Sequence, residues 1–300
     1  RDPLQLPHRP LILRGAARSP RYNSYEYSRQ VLPHSERPEP MTEPLQVISL
    51  GAGVQSSVMA LMAARGELTP MPSAAVFADT QWESRGCYEH LTWLEQQLPF
   101  PTYRVTQGNL RADALSDERS ASMPFHVLNP DGTKGFARRQ CTSEYKLRPL
   151  RRKMRELAGL AKGQRSKGIA VISWIGISTD EAIRMKPSFD KWCENRWPLI
   201  EQRMSRGDCM AWFARNYPGR TLAKSSCIGC PYHSNEHWRA LKQTDEWNDA
   251  VEFDRLSRRN ERMRGQLFLH SSLVPLDQAD LEHEGQTDLF GDECEGMCGV

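Results

Sequence analysis

The sequence predicts an α/β protein: a parallel sheet with helices on both faces, followed by a mostly helical C-terminal part. Short apolar segments alternate with helical patterns from residue 45 onward, which is typical of strand–helix–strand units. The longest apolar run, residues 169–177, suits a strand that is buried on both faces. A turn containing two glycines joins the first strand directly to the first helix.

The individual elements follow from apolar runs and helical spacing. The predicted strands, in chain order, cover residues 45–50, 74–78, 102–106 and 169–177. The predicted helices cover residues 56–64, 87–98, 209–217, 236–241 and 247–263. A further helix follows Cys141, where an apolar stripe recurs at helical spacing through Leu147, Leu150, Met154 and Leu157.

The composition excludes several classes of protein. Hydrophobic residues are 39% and charged residues 26% of the 300 residues, enough to build one substantial core. No stretch approaches the roughly 20 apolar residues of a membrane-spanning helix, and 20 glycines and 20 prolines are too few for a fibrous chain. The net charge of +3 permits a phosphate or nucleic-acid partner without requiring one. We expect a soluble, cytoplasmic protein with no membrane partner.

Four parts are expected along the chain. Residues 1–40 contain seven prolines and seven arginines with little apolar periodicity, which predicts a disordered leader; an Arg-rich organelle-targeting segment is the alternative. Residues 41–205 form the predicted α/β domain and residues 206–276 a helical region that contains cysteines. Residues 277–300 form a predicted acidic, mobile tail.

The turn after the first strand is a candidate anion site. Its candidate residues are the small and polar ones, Ser49, Gly51, Gly53, Gln55, Ser56 and Ser57. Glycines allow positive φ and close approach of a ligand, and the following helix offers unpaired N–H groups to a phosphate. The turn matches neither the Walker loop nor the dinucleotide fingerprint. An ordinary tight turn with a serine cap is the alternative interpretation.

The eight cysteines point to metal or thiol chemistry, because no signal peptide is visible and clustered cysteines in a reducing compartment are typically ligands or catalytic groups. Cys227 and Cys230 form a Cys-x-x-Cys pair, a spacing that lets two thiolates bind one metal ion or cluster, and Cys141 lies upstream. Spacing alone favours a zinc site completed by His233, and buried thiols without a metal are a further alternative. Cys209, His233 and a tail cysteine are the candidates for a fourth ligand.

The turn resembles the PP-loop of the adenine-nucleotide α-hydrolase-like superfamily, which includes ATP pyrophosphatases and phosphoadenosine phosphosulfate (PAPS) reductases. Gln55 stands where the ATP pyrophosphatases carry Asp, which favours the reductase branch. Asp79-Thr80, and the segment from Gly176 to Arg184, resemble further family segments near the nucleotide. The resemblance implies that Asp79, Gly176 and Arg184 help to bind an adenine nucleotide: ATP, PAPS or adenylylsulfate. A helix cap at Asp79 and a solvated Glu181–Arg184 pair are the alternatives.

The segment around Cys141 resembles iron–sulfur adenylylsulfate reductases and related sulfur-transfer proteins, in which a cysteine precedes an Arg-Pro-Leu-Arg-Arg helix. This resemblance implies a [4Fe–4S] cluster on Cys141, Cys227 and Cys230, with zinc as the alternative. The arginines of that helix, Arg148, Arg151, Arg152 and Arg155, are either a solvated basic face or a phosphate-binding one.

The tail partly resembles the mobile Glu-Cys-Gly segment that ends PAPS reductases, and this implies that Cys294 attacks the sulfonyl sulfur and Cys298 resolves the product. The leading hypothesis is therefore reduction of a sulfonucleotide to sulfite, with a thioredoxin-type thiol reductant. One alternative is ATP-dependent thiolation of tRNA or DNA through a three-cysteine iron–sulfur cluster. The other is a zinc-stabilised nucleotide- or nucleic-acid-binding protein without catalysis.

Overall fold

A parallel sheet lies at the centre of the structure. The computed structural model describes residues 43–116, 123–222, 224–258, 260 and 263–282. The strands of this sheet are β1 (Leu45–Leu50), β2 (Ala74–Asp79), β3 (Thr102–Thr106), β6 (Val171–Ile175) and β7 (Cys193–Arg196). Their order is β3-β2-β1-β6-β7, and every neighbouring pair is parallel. The predicted α/β class with a parallel sheet is confirmed.

Helices cover both faces of this sheet, as predicted. They are α1 (Val54–Ala64), α2 (Arg85–Gln97), α3 (Leu110–Leu115), α4 (Arg148–Leu157), α5 (Pro198–Glu201), α6 (Arg206–Asn216), α7 (Asn235–Lys242) and α8 (Glu246–Ser257). None of the described helices has the length and apolar character to cross a bilayer.

The alternation of side chains along β1 and β2 divides the core between the two faces. Ile48 and Phe77 pack in one cluster, together with residues of α1, α2 and α6. Val47 and Val76 point the other way and pack with Leu150 and Met154 of α4. The apolar stripe predicted for the helix after Cys141 is therefore the face that α4 lays on the sheet.

A second, smaller sheet was not predicted. It consists of β4 (His126–Leu128), β5 (Lys134–Phe136) and β8 (Gln266–Phe268), in the antiparallel order β5-β4-β8. Three-residue strands carry too little alternation to be found by periodicity. This sheet packs with α7 and α8 in a separate apolar cluster that contains Phe125, Trp238 and Phe253.

Some element boundaries also differ from the prediction. Helix α1 begins at Val54 rather than at residue 56, and α8 ends at Ser257 rather than at residue 263. The segment between Cys141 and α4, Thr142–Leu147, is a π-helical turn rather than ordinary helix. Such turns commonly occur near functional sites because they re-aim side chains within a continuous helix.

Candidate functional site

The order of the strands reverses between β1 and β6, and open parallel sheets bind ligands at such a point, beyond the carboxyl ends of the strands. The turn that enters α1 and the loop that leaves β6 meet there. They touch so closely that a Cβ added to Gly176 would lie 2.8 Å from the backbone nitrogen of Ser56. Gly176 is thus required for packing against the first turn of α1.

The turn itself differs from the expected geometry. The expectation that its glycines adopt positive φ is wrong at Gly53, which caps α1 with φ −92° and ψ −173°. Ala52 takes the left-handed conformation instead, with φ 59°. The Gly51 amide donates to Ser56 Oγ at 3.2 Å. Every residue from 51 to 57 is buried, so the turn is covered in this structure.

Polar groups surround Gln55, which lies in the first turn of α1. Gln55 is fully buried, and its amide nitrogen donates to Ser178 Oγ at 3.3 Å and to Glu181 Oε2 at 3.1 Å. Its carbonyl oxygen accepts from Arg206 at 3.0 Å. Glu181 also pairs with Arg184 at 2.5 Å. The predicted residues Gln55 and Arg184 therefore belong to one network, which Arg206 joins from the start of α6.

The serines of the turn are held in place from within the core. Ser49 is buried in β1, and the fully buried Ser57 shares a 2.9 Å hydrogen bond with His90 Nε2 on α2. Burial and the positive charge of Arg220 lower the pKa of His90 to about 4, so the imidazole is neutral at physiological pH. A neutral imidazole beside a hydroxyl fixes the Ser57 rotamer without adding charge to the site.

Asp79 lies at the carboxyl end of β2, as predicted, but its carboxylate already has local partners. Its Oδ1 accepts from the Tyr88 hydroxyl and from the Gln81 amide, each at 2.7 Å. Burial and these contacts with Asp79 raise the pKa of Tyr88, so the phenol remains a donor. The carboxylate thereby closes the turn after β2, as a capping residue does.

The three predicted metal-binding cysteines lie in one apolar cluster. Cys227 and Cys230 are buried in it, and the partly buried Cys141 packs against it. Cys227 also forms an isolated antiparallel bridge with Glu83, just beyond β2, and its sulfur lies 3.3 Å from Thr80 Oγ1. Since β2 is the neighbour of β1, this thiol lies at the same edge of the sheet as the glycine turn.

The loop that carries Cys227 and Cys230 is fixed by packing and by a histidine. A Cβ on Gly229 would lie 2.3 Å from the ring of Trp82, so no larger residue fits there without displacing that ring. His233 directs Nε2 at the carbonyl oxygens of Cys227 and Ile228, at 2.9 and 3.2 Å. Carbonyls only accept, so Nε2 carries the proton and Nδ1 is the nitrogen with an acceptor lone pair.

These donors share a cluster rather than a single point. Across the part of the chain that the structure describes, no three histidine, cysteine, aspartate or glutamate side chains converge closely enough to hold a metal ion. Cys209, one of the candidates for a fourth ligand, packs in the cluster of α1 and α2 instead. Cys294 and Cys298 lie outside the described residues.

The arginines of α4 lie on one stripe of the helix, at positions i, i+3, i+4 and i+7. Arg148, Arg151, Arg152 and Arg155 line a surface cavity of about 800 Å³ together with Lys162. Arg148 is 62% and Arg151 46% exposed, and the latter pairs with Asp190. This basic stripe faces away from Leu150 and Met154, which bind α4 to the sheet.

Sequence reasoning missed several polar residues of this edge, notably Glu83, Lys146 and Arg206. Glu83 and Lys146 form a 3.4 Å ion pair beside Cys227. No motif marks these positions, because long-range folding brings them to the site. Glu83 is four residues past Asp79, and a charged residue so close to the carboxyl end of a strand is the one signal that could have identified it.

Comparison with known proteins adds no family assignment. No protein-family model matches the chain, and no match was found among curated proteins.

Proposed function

We propose that the protein is an adenine-nucleotide-dependent enzyme of sulfur metabolism that reduces a sulfonucleotide to sulfite. One observation carries this proposal: the covered glycine turn at the end of β1 and the Cys227 thiol at the end of β2 occupy the same edge of the sheet. An anion-binding turn and a sulfur-rich cluster at one edge suit a substrate that bears both phosphate and sulfate.

The nucleotide phosphates would lie at the first turn of α1. The N–H groups of that turn have no partners within the helix, and the positive end of the helix dipole favours an anion there. Since the turn is covered, binding has to displace the Glu181 carboxylate from Gln55. Arg184 and Arg206 would then exchange their present oxygen partners for phosphate oxygens, which guanidinium groups bind bidentately.

The cluster of Cys141, Cys227 and Cys230 would hold the metal group. Three thiolates suit iron or zinc, since both accept soft sulfur ligands. Bound there, an iron–sulfur cluster would supply polarisable, redox-active iron. Glu83 contacts the Cys227 sulfur through Oε1, and its Oε2 has no hydrogen-bond partner among the described residues, which suits coordination of a cation at this place.

The chemical step assigned to the tail is a thiol displacement at sulfur. The Cys294 thiolate forms an S–S bond with the sulfonyl sulfur as the S–O bond to the nucleotide phosphate breaks, and the nucleotide leaves with that oxygen. The Cys298 thiolate then attacks the Cys294 sulfur, which releases sulfite and leaves a disulfide. A dithiol protein of the thioredoxin type would reduce this disulfide for the next turnover.

Sulfite release from PAPS or adenylylsulfate, with a dithiol reductant, tests the proposal directly. We expect Cys294→Ser to abolish sulfite formation while the nucleotide affinity, measured by calorimetry, stays unchanged. Cys193→Ala is the matched control, because Cys193 is a buried thiol in another core cluster and burial raises its pKa to about 11. Equal turnover in the Cys294→Ser variant and wild type would exclude the tail nucleophile.

Anaerobic purification tests the metal group independently. We expect a brown protein with stoichiometric iron and sulfide, and loss of that iron in Cys141→Ser, Cys227→Ser and Cys230→Ser. Full iron retention in all three variants would exclude these cysteines as ligands of the metal group. A colourless protein with one zinc and no turnover would instead support the binding protein without catalysis.

A second candidate function is thiolation of a nucleic acid, which the basic stripe of α4 favours. Four arginines and Lys162 line one cavity together with the carboxylate of Glu156, so positive charges outnumber negative ones there, although Arg148 and Arg151 also pair with Glu144 and Asp190. Phosphate contacts of this kind make binding strongly dependent on salt.

The two functions differ in their response to charge reversal on α4. If a nucleic acid binds there, Arg148→Glu with Arg152→Glu should weaken binding to bulk tRNA or duplex DNA and lower the salt slope by about 0.7–0.9 for each phosphate that is no longer neutralised. Arg215→Glu, on the exposed side of α6, is the matched control. Equal binding by both variants would exclude this second function.

A further inference from the structure

Glu83 is a buried carboxylate with an incomplete set of partners. Its side chain is fully buried. Three groups approach one oxygen, Oε1: the Thr80 hydroxyl at 3.1 Å, the Cys227 thiol at 3.8 Å and the Lys146 ammonium at 3.4 Å. The other oxygen, Oε2, has no hydrogen-bond partner within the described part of the chain.

This arrangement calls for a further positive partner. A buried carboxylate is stable only when it is paired and hydrogen-bonded, and an acceptor left without a partner costs about 1–3 kcal/mol. Such atoms in native proteins commonly mark a bound water or ion. Oε1 of the same carboxylate lies 3.8 Å from the Cys227 sulfur, so Oε2 belongs to a group in direct contact with the thiol cluster.

We propose that Glu83 is the oxygen ligand that completes the metal site, beside the sulfurs of Cys141, Cys227 and Cys230. These side chains do not yet converge on one point in this structure, so a bound metal would have to draw them together. This inference rests on the metal group of the proposed function. A carboxylate oxygen is an accepted ligand of zinc and is also compatible with iron, so the assignment holds for either metal. The Lys146 ammonium and the Thr80 hydroxyl would stay on Oε1 and orient the carboxylate, as partners of metal ligands do.

Two of the other candidates for a fourth ligand lie in the described part of the chain. Cys209 packs in a different core cluster. His233 donates its Nε2 proton to two carbonyl oxygens of the cysteine loop, so its Nδ1 is the competing ligand atom. Glu83 is favoured because its carboxylate contacts the Cys227 sulfur directly, at 3.8 Å, and has a second oxygen to offer.

The experiment compares Glu83→Gln, Glu83→Asp and Glu95→Gln in the full chain, each purified anaerobically. If Glu83 is a ligand of a [4Fe–4S] cluster, Glu83→Gln should lower iron from about four to about three per chain while sulfide is retained. Electron paramagnetic resonance should then show a three-iron cluster. In a zinc protein, Glu83→Gln should weaken zinc binding by at least about tenfold in a chelator competition.

Glu95→Gln is the matched control, because it neutralises a partly buried carboxylate on α2 that pairs with Arg104 of β3. It should keep the wild-type metal content, and Glu83→Asp should recover part of it. Metal content and spectra in Glu83→Gln that equal those of wild type would overturn the inference, as would equal losses in Glu83→Gln and Glu95→Gln. A wild-type protein without iron or zinc would also overturn it.

The same variants separate this inference from the proposed function. Metal binding that depends on Glu83, without sulfite release from any sulfonucleotide, would leave the ligand assignment intact and reject the reductase. Sulfite release with full metal content in Glu83→Gln would reject the ligand assignment alone.

Discussion

Replacement of Gly176 by alanine tests whether the two loops at the sheet edge form one unit. The added Cβ would lie 2.8 Å from the nitrogen and 2.9 Å from the Cα of Ser56, and 3.1 Å from the carbonyl carbon of Gln55. All three are backbone atoms in the first turn of α1. No side chain can rotate away to make room, so either the loop after β6 or the start of α1 has to move.

The size of the effect follows from these distances. Ordinary van der Waals contact begins at 3.4 Å, so the nearest atom has to move by about 0.6 Å. Overpacking of this kind typically costs about 1–3 kcal/mol. For a domain of about 150–250 residues, that corresponds to a fall in Tm of roughly 2–12 °C. The same shift would disturb the N–H groups proposed to bind phosphate, and each 1.4 kcal/mol lost there weakens binding about tenfold.

Urea unfolding gives the stability change, and calorimetry with PAPS, adenylylsulfate and ATP gives the change in affinity. Gly168→Ala is the matched control, because a Cβ there meets nothing within 4 Å and Gly168 has no positive φ. We expect Gly168→Ala to behave as wild type. If Gly176→Ala is as stable as Gly168→Ala, the contact between the two loops does not exist as described. If it is less stable but binds nucleotide equally well, the nucleotide does not lie at the first turn of α1.

Three further predictions concern stability. Burial lowers the pKa of His90 from 6.5 to about 4; the unfolded chain therefore binds a proton that the folded one does not, and stability present above pH 6.5 is lost as the pH falls towards 4. His90→Asn should remove up to roughly 3 kcal/mol of the change in unfolding free energy between pH 6.5 and 4, measured by urea unfolding at a series of pH values. An unchanged pH dependence would contradict the assignment. Asp254→Ala removes the acceptor of the buried Leu269 and Leu276 amides, at 2.9 and 3.0 Å, and should destabilise the protein by more than about 2 kcal/mol in thermal denaturation; a loss below about 0.5 kcal/mol would mean that water replaces the carboxylate. Ala52→Gly relieves the left-handed φ of 59° and should leave Tm unchanged or raise it, whereas a clear fall would show that the methyl group packs more favourably than the strain costs.

The buried network around Gln55 gives a physical reason for the amide at this position. Its amide nitrogen donates to Glu181 while its carbonyl oxygen accepts from Arg206. An aspartate would present two acceptors to Glu181 and Ser178 and would be too short to span the same gap. The carboxamide therefore joins a carboxylate and a guanidinium without adding net charge beneath the proposed phosphate site.

The sequence by itself predicted the parallel sheet and the turn that follows its first strand. The first three strands and β6, and the helices on both faces, follow from apolar periodicity, because each element buries one face or both in a single core. The glycine turn between β1 and α1 was predicted because tight turns need small residues at particular spacings, and it lies where predicted. The assignment of Cys227 and Cys230 as metal ligands rests on their spacing and stays a prediction.

Only the tertiary structure could decide which polar groups meet at that edge. Glu83 and Cys227 are 144 residues apart, and Gln55 and Arg206 are 151 apart, yet each pair is in contact. The antiparallel β4, β5 and β8, which bring residues 126–136 beside residues 266–268, were equally invisible. Periodicity reports which face of an element is buried, but not which distant element covers it; that choice depends on how whole surfaces fit together.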